Sequence, residues 1–152
     1  MAVDVVCSIV IDRPRREVAD YASHPDNAPS WYVNIKSVEW KTPPPLRIGS
    51  EIAFVARFLG RKLAYTYEVV EWVRDERFVM RTAQGPFPME TTYTWETTAS
   101  GSTRMTLRNA GAPAGFSKLF GPFMARAMRS ANQKDLAALK RLLESRPSQA
   151  AS

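Results

Sequence analysis

The chain has 152 residues, 45% of them hydrophobic, with one cysteine and a formal net charge of +6. That is enough apolar material for the core of one domain without disulfides, and Cys7 has no partner for an internal bridge. Charged residues interrupt every apolar run well short of the roughly 18–20 residues that a membrane-crossing helix needs, and MAVDVV carries no basic leader, so a cytoplasmic protein is expected.

In VDVVCSIVI, Val3, Val5, Cys7, Ile9 and Ile11 recur at every second position, which predicts a half-buried first strand. Asp12 is expected to cap the helix that follows, with Pro14 in its first turn and Val18, Ala19 and Ala22 on its apolar face. His24, Pro25, Asp26, Asn27 and Pro29 limit 24–30 to a turn or a very short helix before Trp31. The chain then reads as an antiparallel meander with strands near 34–42, 51–59, 62–72, 77–83, 88–98 and 102–110. Alternation turns Ile52, Phe54, Ala56 and Phe58 inward, with Leu63, Tyr65, Tyr67, Val69, Phe78, Met80, Met89, Thr91, Tyr93, Trp95, Met105 and Leu107. Glu68, Arg81, Glu90, Glu96, Arg104 and Arg108 face water.

From Phe116 the period changes. Phe116, Leu119, Phe120, Phe123, Met124, Ala127, Met128 and Ala131 recur at three and four, and Leu136, Leu139 and Leu143 continue the stripe of one long helix. Gly121 and Pro122 imply either a kink or a start at 122, with FSKLF as a separate turn. The domain is expected to span 1–146, leaving 147–152 as a flexible tail.

The basic residues are dispersed among acidic ones, as on a solvated surface, so no specific nucleic-acid partner is expected. One histidine and one cysteine far apart in sequence cannot build a zinc site. With no phosphate loop, dinucleotide fingerprint or nucleophile elbow, no metal or cofactor is expected. Cys7 reads as core and His24, before a proline, as structural.

The opening strand with IDRPRREVADYASHPDNAPSW, then RIGSEIAF, YEVVEWVRDERFVMRT, the hairpin YTWETTASGSTRMTL and the C-terminal helix together resemble the START/Bet v 1-like (SRPBCC) superfamily, in its bacterial polyketide cyclase/dehydrase-type branch. The resemblance spans nearly the whole chain. It implies an α+β helix-grip fold, a curved seven-stranded antiparallel sheet wrapped around a long C-terminal helix, with two short helices after the first strand. It also implies a cavity between sheet and helix for a lipid, a polyketide-like aromatic or a similar metabolite. Trp31 matches the family's usual tryptophan and is read as a plug between the sheet and the short helices.

A fold of this kind hosts many functions, so function rests on the site. The candidate ligand-binding residues are Phe54, Phe58, Tyr65, Tyr67, Phe78, Met80, Met89, Thr91, Tyr93 and Met105 of the strands, with Phe120, Phe123, Met124 and Met128 of the helix. Tyr65, Tyr67, Thr91, Tyr93 and Asn109 supply polar groups among apolar ones, as binding pockets do, and such a function calls for a cavity of about 300 Å³ or more. A filled core with tyrosine hydroxyls at its rim uses the same residues.

Three functions remain open: binding of a small apolar molecule, a cyclase or dehydratase that moves protons through cavity tyrosines, and a module that binds protein or nucleic acid. Phenols are poor bases at a reference pKa of about 10, and no carboxylate or histidine stands out as catalytic in the expected cavity, so the sequence leaves enzyme status undecided. The turns near 59–62, 84–88 and 111–116 fall at one end of the meander. Arg61, Lys62, Phe87 and Phe116 there are expected to form a ligand entrance, with peripheral membrane contact as a further expectation. Monomer and homodimer are both open.

Overall fold

The computed structural model describes residues 3–58, 60–85, 88–111 and 121–147, without the side chains of 58, 121 and 122. The elements run β1 (Val3–Ile11), α1 (Arg15–Ser23), a 3₁₀ turn (Pro25–Asn27), α2 (Ala28–Trp31), β2 (Ile35–Trp40), β3 (Glu51–Phe58), β4 (Arg61–Val73), β5 (Arg77–Gln84), β6 (Met89–Thr97), β7 (Thr103–Gly111) and α3 (Gly121–Glu144). Strand boundaries fall within about two residues of those the alternation predicts. The segment 116–120, whose helical or separate-turn character the sequence left open, lies outside the described residues.

The strands form one seven-stranded antiparallel sheet in the order β1-β7-β6-β5-β4-β3-β2. Consecutive strands from β2 to β7 are neighbours, and β1 returns to pair with β7, Cys7 opposite Leu107 and Ile11 opposite Thr103. Tight turns carry the reversals. Gly60 and Gly101 have φ of 76° and 86°, and Asp75, whose short side chain tolerates the left-handed region, has φ 65°. β1 buries Val3, Val5, Cys7 and Ile11 while Asp4, Val6, Ser8 and Val10 stay exposed, as a period of two requires. α3 packs chiefly against β1, with Leu136, Leu139 and Leu143 buried in the same cluster as Val5 and Ile11. This is the expected α+β helix-grip arrangement.

Two expectations need correction. Asp12 does not cap α1: Pro14 occupies the N-cap position with no side-chain cap, while Asp12 Oδ1 accepts a hydrogen bond from Ser102 Oγ at 3.0 Å. The turn thereby becomes a tie to the β6–β7 hairpin. Phe123, placed on the inward stripe, is 57% exposed, because the face that meets the sheet runs through Met124, Asn132, Asp135, Leu136, Leu139 and Leu143. The apolar stripe is therefore interrupted by two buried polar residues.

On the outer face the dispersed charges pair across strands. Arg108 forks onto Asp4 at 2.8 and 2.6 Å, Arg81 onto Glu90 at 3.0 and 2.8 Å, and Arg77 meets Glu71 at 3.0 Å. Exposed pairs of this kind contribute about 0–1 kcal/mol each, so they order the surface more than they stabilise the fold.

Candidate functional site

The inward rows of the sheet divide into a filled end and a hollow one. At the filled end Trp95 lies opposite Met105, and Ile11, Ile52, Val69 and Leu143 close the core. At the other end the rows Ala56–Leu63, Phe54–Tyr65 and Met80–Thr91–Asn109 leave space beneath α3. That cavity is partly open, has a volume of about 160 Å³ and is walled largely by apolar atoms. Ala22, Ser23, His24, Pro25, Ala28 and Tyr32 border it on one side, and Met128, Ala131, Asn132 and Asp135 form its helical wall.

The volume falls below the roughly 300 Å³ at which ligand pockets usually begin. It resembles instead the cavities of about 150 Å³ that admit a single aromatic ring. In this state the cavity suits one ring with a small substituent, and anything larger must displace the surrounding methionines, whose unbranched side chains repack readily.

Nine of the candidate ligand-binding residues meet at this cavity, Phe54, Tyr65, Tyr67, Phe78, Met80, Met89, Thr91, Tyr93 and Met128, together with Asn109. Met105 and Met124 are buried in the core instead and do not line it. The Phe58 side chain, Phe87, Phe116 and Phe120 lie outside the described residues, and Arg61 and Lys62 are exposed where β4 begins. Trp31 is buried against Tyr32 and Tyr93, with ring centroids 4.1 and 5.9 Å away, and lines no part of the cavity, in accord with its reading as a plug. His24 borders the cavity, but its Nδ1 accepts the Asp26 N–H at 3.3 Å and caps the 3₁₀ turn.

The polar groups form two sets. In the first, the Tyr32 and Tyr93 hydroxyls share a hydrogen bond of 2.5 Å, and burial pushes both phenols up, with the nearby Asp135 carboxylate adding to the effect. Asp135 is 3% exposed, and burial pushes its carboxyl up to about 7 even though its Oδ1 accepts the Val33 N–H at 2.8 Å. The reading that no carboxylate faces the cavity is thus corrected: the helix supplies one that the strand faces lack.

In the second set Thr91 Oγ1 donates to Asn109 Oδ1 at 2.6 Å, and Asn109 Nδ2 donates to Asn132 Oδ1 at 3.2 Å. Asn132 Nδ2 finds no partner among the described residues. A buried unpaired donor costs about 1–3 kcal/mol.

Asn132 and Asp135 are the site residues that strand-based reasoning misses. The signal is present in MRSANQKDLAAL: Met128, Asn132, Asp135 and Leu139 follow one another at four, three and four residues, so two polar side chains stand on the apolar stripe itself.

The seven-stranded antiparallel sheet packed on a long C-terminal helix is a helix-grip fold. A family model described as polyketide cyclase/dehydrase and lipid transport matches residues 2–144, and the chain belongs to that family. No curated protein matches the chain significantly. Among solved structures it resembles a START superfamily protein from Mycobacterium smegmatis, with TM-score 0.81, 13% identity and 93% and 97% of the two chains covered. The Zhui aromatase/cyclase from Streptomyces sp. R1128 aligns with TM-score 0.80, 12% identity and coverage of 99% and 98%. A protein from Thermus thermophilus, TTHA0849, aligns with TM-score 0.79, 19% identity and coverage of 95% and 99%. At these identities the likeness is one of fold.

Proposed function

We propose that this protein binds a small, neutral, largely apolar molecule carrying one ring in the cavity between the sheet and α3. The observation that carries the reading is an apolar cavity of about 160 Å³ lined by a few polar residues from β4, β6, β7 and α3 and by Tyr32 after α2. None of the described residues lining it is Lys or Arg, so a ligand anion would find no counter-charge from them. Isopropylbenzene, followed by ligand-observed NMR, is a suitable first probe. It should bind the wild type and lose binding in Ala131→Phe, which fills the cavity from the helical wall. Equal binding by both proteins, with the variant folded by circular dichroism, would rule the cavity out as the site.

Asp135 supports a second reading as a cyclase or dehydratase, because a carboxyl pushed to about 7 is suited to take and return a proton near neutrality. With a β-hydroxy ketone in the cavity, the carboxylate would remove the proton on the carbon next to the carbonyl. The β-hydroxyl would then leave with that proton as water. The hydrogen-bonded Tyr32 and Tyr93 phenols keep their protons and would orient the substrate. Water loss from a cyclic β-hydroxy ketone should rise with pH through about 7 and disappear in Asp135→Asn. Turnover that survives this substitution would remove the enzyme reading and leave binding intact.

A further inference from the structure

We propose that the outer face of α3 is a docking surface for an anionic lipid bilayer, which it meets with a row of cations that no carboxylate of the described residues neutralises. The inference goes beyond the binding of a small molecule and does not depend on it. Phe123, Arg126, Ser130, Lys134, Ala137 and Arg141 follow one another at three or four residues and so share one stripe of the helix. All but Ala137 are exposed, and the stripe lies opposite the buried side that carries Met124, Asp135, Leu139 and Leu143.

The balance of charge decides the kind of partner. Among the described residues, Arg126, Lys134 and Arg141 meet no carboxylate within ion-pair distance. The helix holds two carboxylates, and neither faces the row. Asp135 is 3% exposed and lines the cavity, while Glu144 Oε2 accepts the Asp12 N–H at 2.8 Å and Lys140 Nζ at 2.7 Å. The outer face of the sheet is built otherwise, with Arg77, Arg81 and Arg108 each against a carboxylate. Arg129 adds to the positive field, since its Nη1 donates to the Val6 carbonyl at 3.1 Å and its charge is left unopposed. The complement of such a face is an anion.

Shape and apolar exposure favour a bilayer over other anions. The row from Phe123 to Arg141 is about 27 Å long at a rise of about 1.5 Å per residue, and the small Ser130 and Ala137 between its cations let a flat surface come close. Phe123 and, beside the helix, Val33 are large apolar side chains left exposed. They can enter the boundary between headgroups and acyl chains, whereas the phosphates of a duplex would leave them in water. Arg129 reaches Val6 and Lys140 reaches Val10, so α3 runs alongside β1 in the same direction. Its Phe123 end therefore stands where Val3 and Met89 pair with Gly111, the end of the sheet that holds the cavity. Docking through this face sets the cavity beside the headgroups.

The test is co-sedimentation of the full chain with vesicles of phosphatidylcholine alone and of phosphatidylcholine with about one-third phosphatidylglycerol. The wild type should partition onto the anionic vesicles, spare the neutral ones, and be released as salt is raised. Each cation near an anionic leaflet is worth about fivefold in partitioning, so Arg126→Gln, Lys134→Gln and Arg141→Gln together should weaken it on the order of a hundredfold. Arg77→Gln, Arg81→Gln and Arg108→Gln remove the same charge from the outer face of the sheet and should change it by less than about threefold. Arg126→Lys with Arg141→Lys should keep the binding, because a leaflet takes up charge rather than the guanidinium fork. Phe123→Ser should weaken it several-fold. Circular dichroism establishes that each variant is folded. A wild type that ignores anionic vesicles, or an α3 variant that binds them as the wild type does, overturns the proposal. Equal loss in the two triple variants would mean attraction by net charge alone, and tighter binding to a DNA duplex than to vesicles at equal phosphate would assign the face to nucleic acid; either overturns it too. Isopropylbenzene binding is read separately, so its failure would remove the cavity function and leave this one standing.

Discussion

Asp135 is the residue whose burial has the clearest thermodynamic consequence. Its carboxyl is pushed from 3.8 to about 7 in the folded protein, so the native state holds a proton that the unfolded chain releases earlier. The resulting contribution to stability is fully present below about pH 4 and is lost as pH rises through about 7. Its size is on the order of 2–4 kcal/mol, since each tenfold change in proton affinity corresponds to about 1.4 kcal/mol. Asp135→Asn preserves an acceptor for the Val33 N–H and removes the ionisation. Urea unfolding measured from pH 4 to 8 should therefore show a falling stability in the wild type and a flatter profile in the variant. Matching profiles would mean that the carboxyl titrates at its ordinary value. The sequence shows Asp135 and Asn132 on the helix's inward stripe but does not reveal that space lies beneath them. That depends on the partner rows of the sheet, where Ala56 opposite Leu63 leaves room that larger residues would fill.

At the scale of elements, the strands were legible because one face of each is apolar with a period of two, and α3 because its period changes to three and four. Less legible was what anchors the helix, because the anchor is polar and distant in sequence. Arg13, in the β1–α1 turn, donates from Nη2 to the Glu144 carbonyl at 2.7 Å and to the Arg146 carbonyl at 2.6 Å. It satisfies acceptors that the end of a helix leaves unpaired, and its positive charge opposes the negative end of the dipole. The Asp12 N–H donates to Glu144 Oε2 at 2.8 Å, Lys140 Nζ donates to the Val10 carbonyl at 2.8 Å, and Thr103 Oγ1 donates to the Arg13 carbonyl at 2.7 Å. The turn is thus clasped between the β6–β7 hairpin and the helix. Arg13→Ala should cost about 1–3 kcal/mol and speed amide hydrogen exchange in the last two turns of α3 more than in β3 or β4. Arg13→Lys, which keeps the charge without the fork, should fall between. Uniform acceleration of exchange, or none, would show that the clasp does not hold the helix end.

For the molecule as a whole, the registers say where a ligand would enter. Leu63 stands two residues after the start of β4, Met89 is the first residue of β6, and Asn109 stands two residues before the end of β7. All three line the cavity, so it lies toward the end of the sheet that carries the β3–β4 and β5–β6 turns and the exit from β7. Arg61 and Lys62 are exposed at that same end. The filled rows around Trp95, Met105 and Ile11 lie toward the opposite end. No described helix is long and apolar enough to cross a membrane. We propose that the hollow end is the entrance and that Phe87 and Phe116, carried by its connections, form its apolar rim. Combined Phe87→Ser and Phe116→Ser should then slow isopropylbenzene association and weaken binding to anionic vesicles. The vesicle effect should fade as salt is raised, since Arg61 and Lys62 would supply the attraction to the headgroups. If the double variant keeps its fold, its association rate and its vesicle binding all unchanged, these turns only close the sheet and the ligand enters elsewhere.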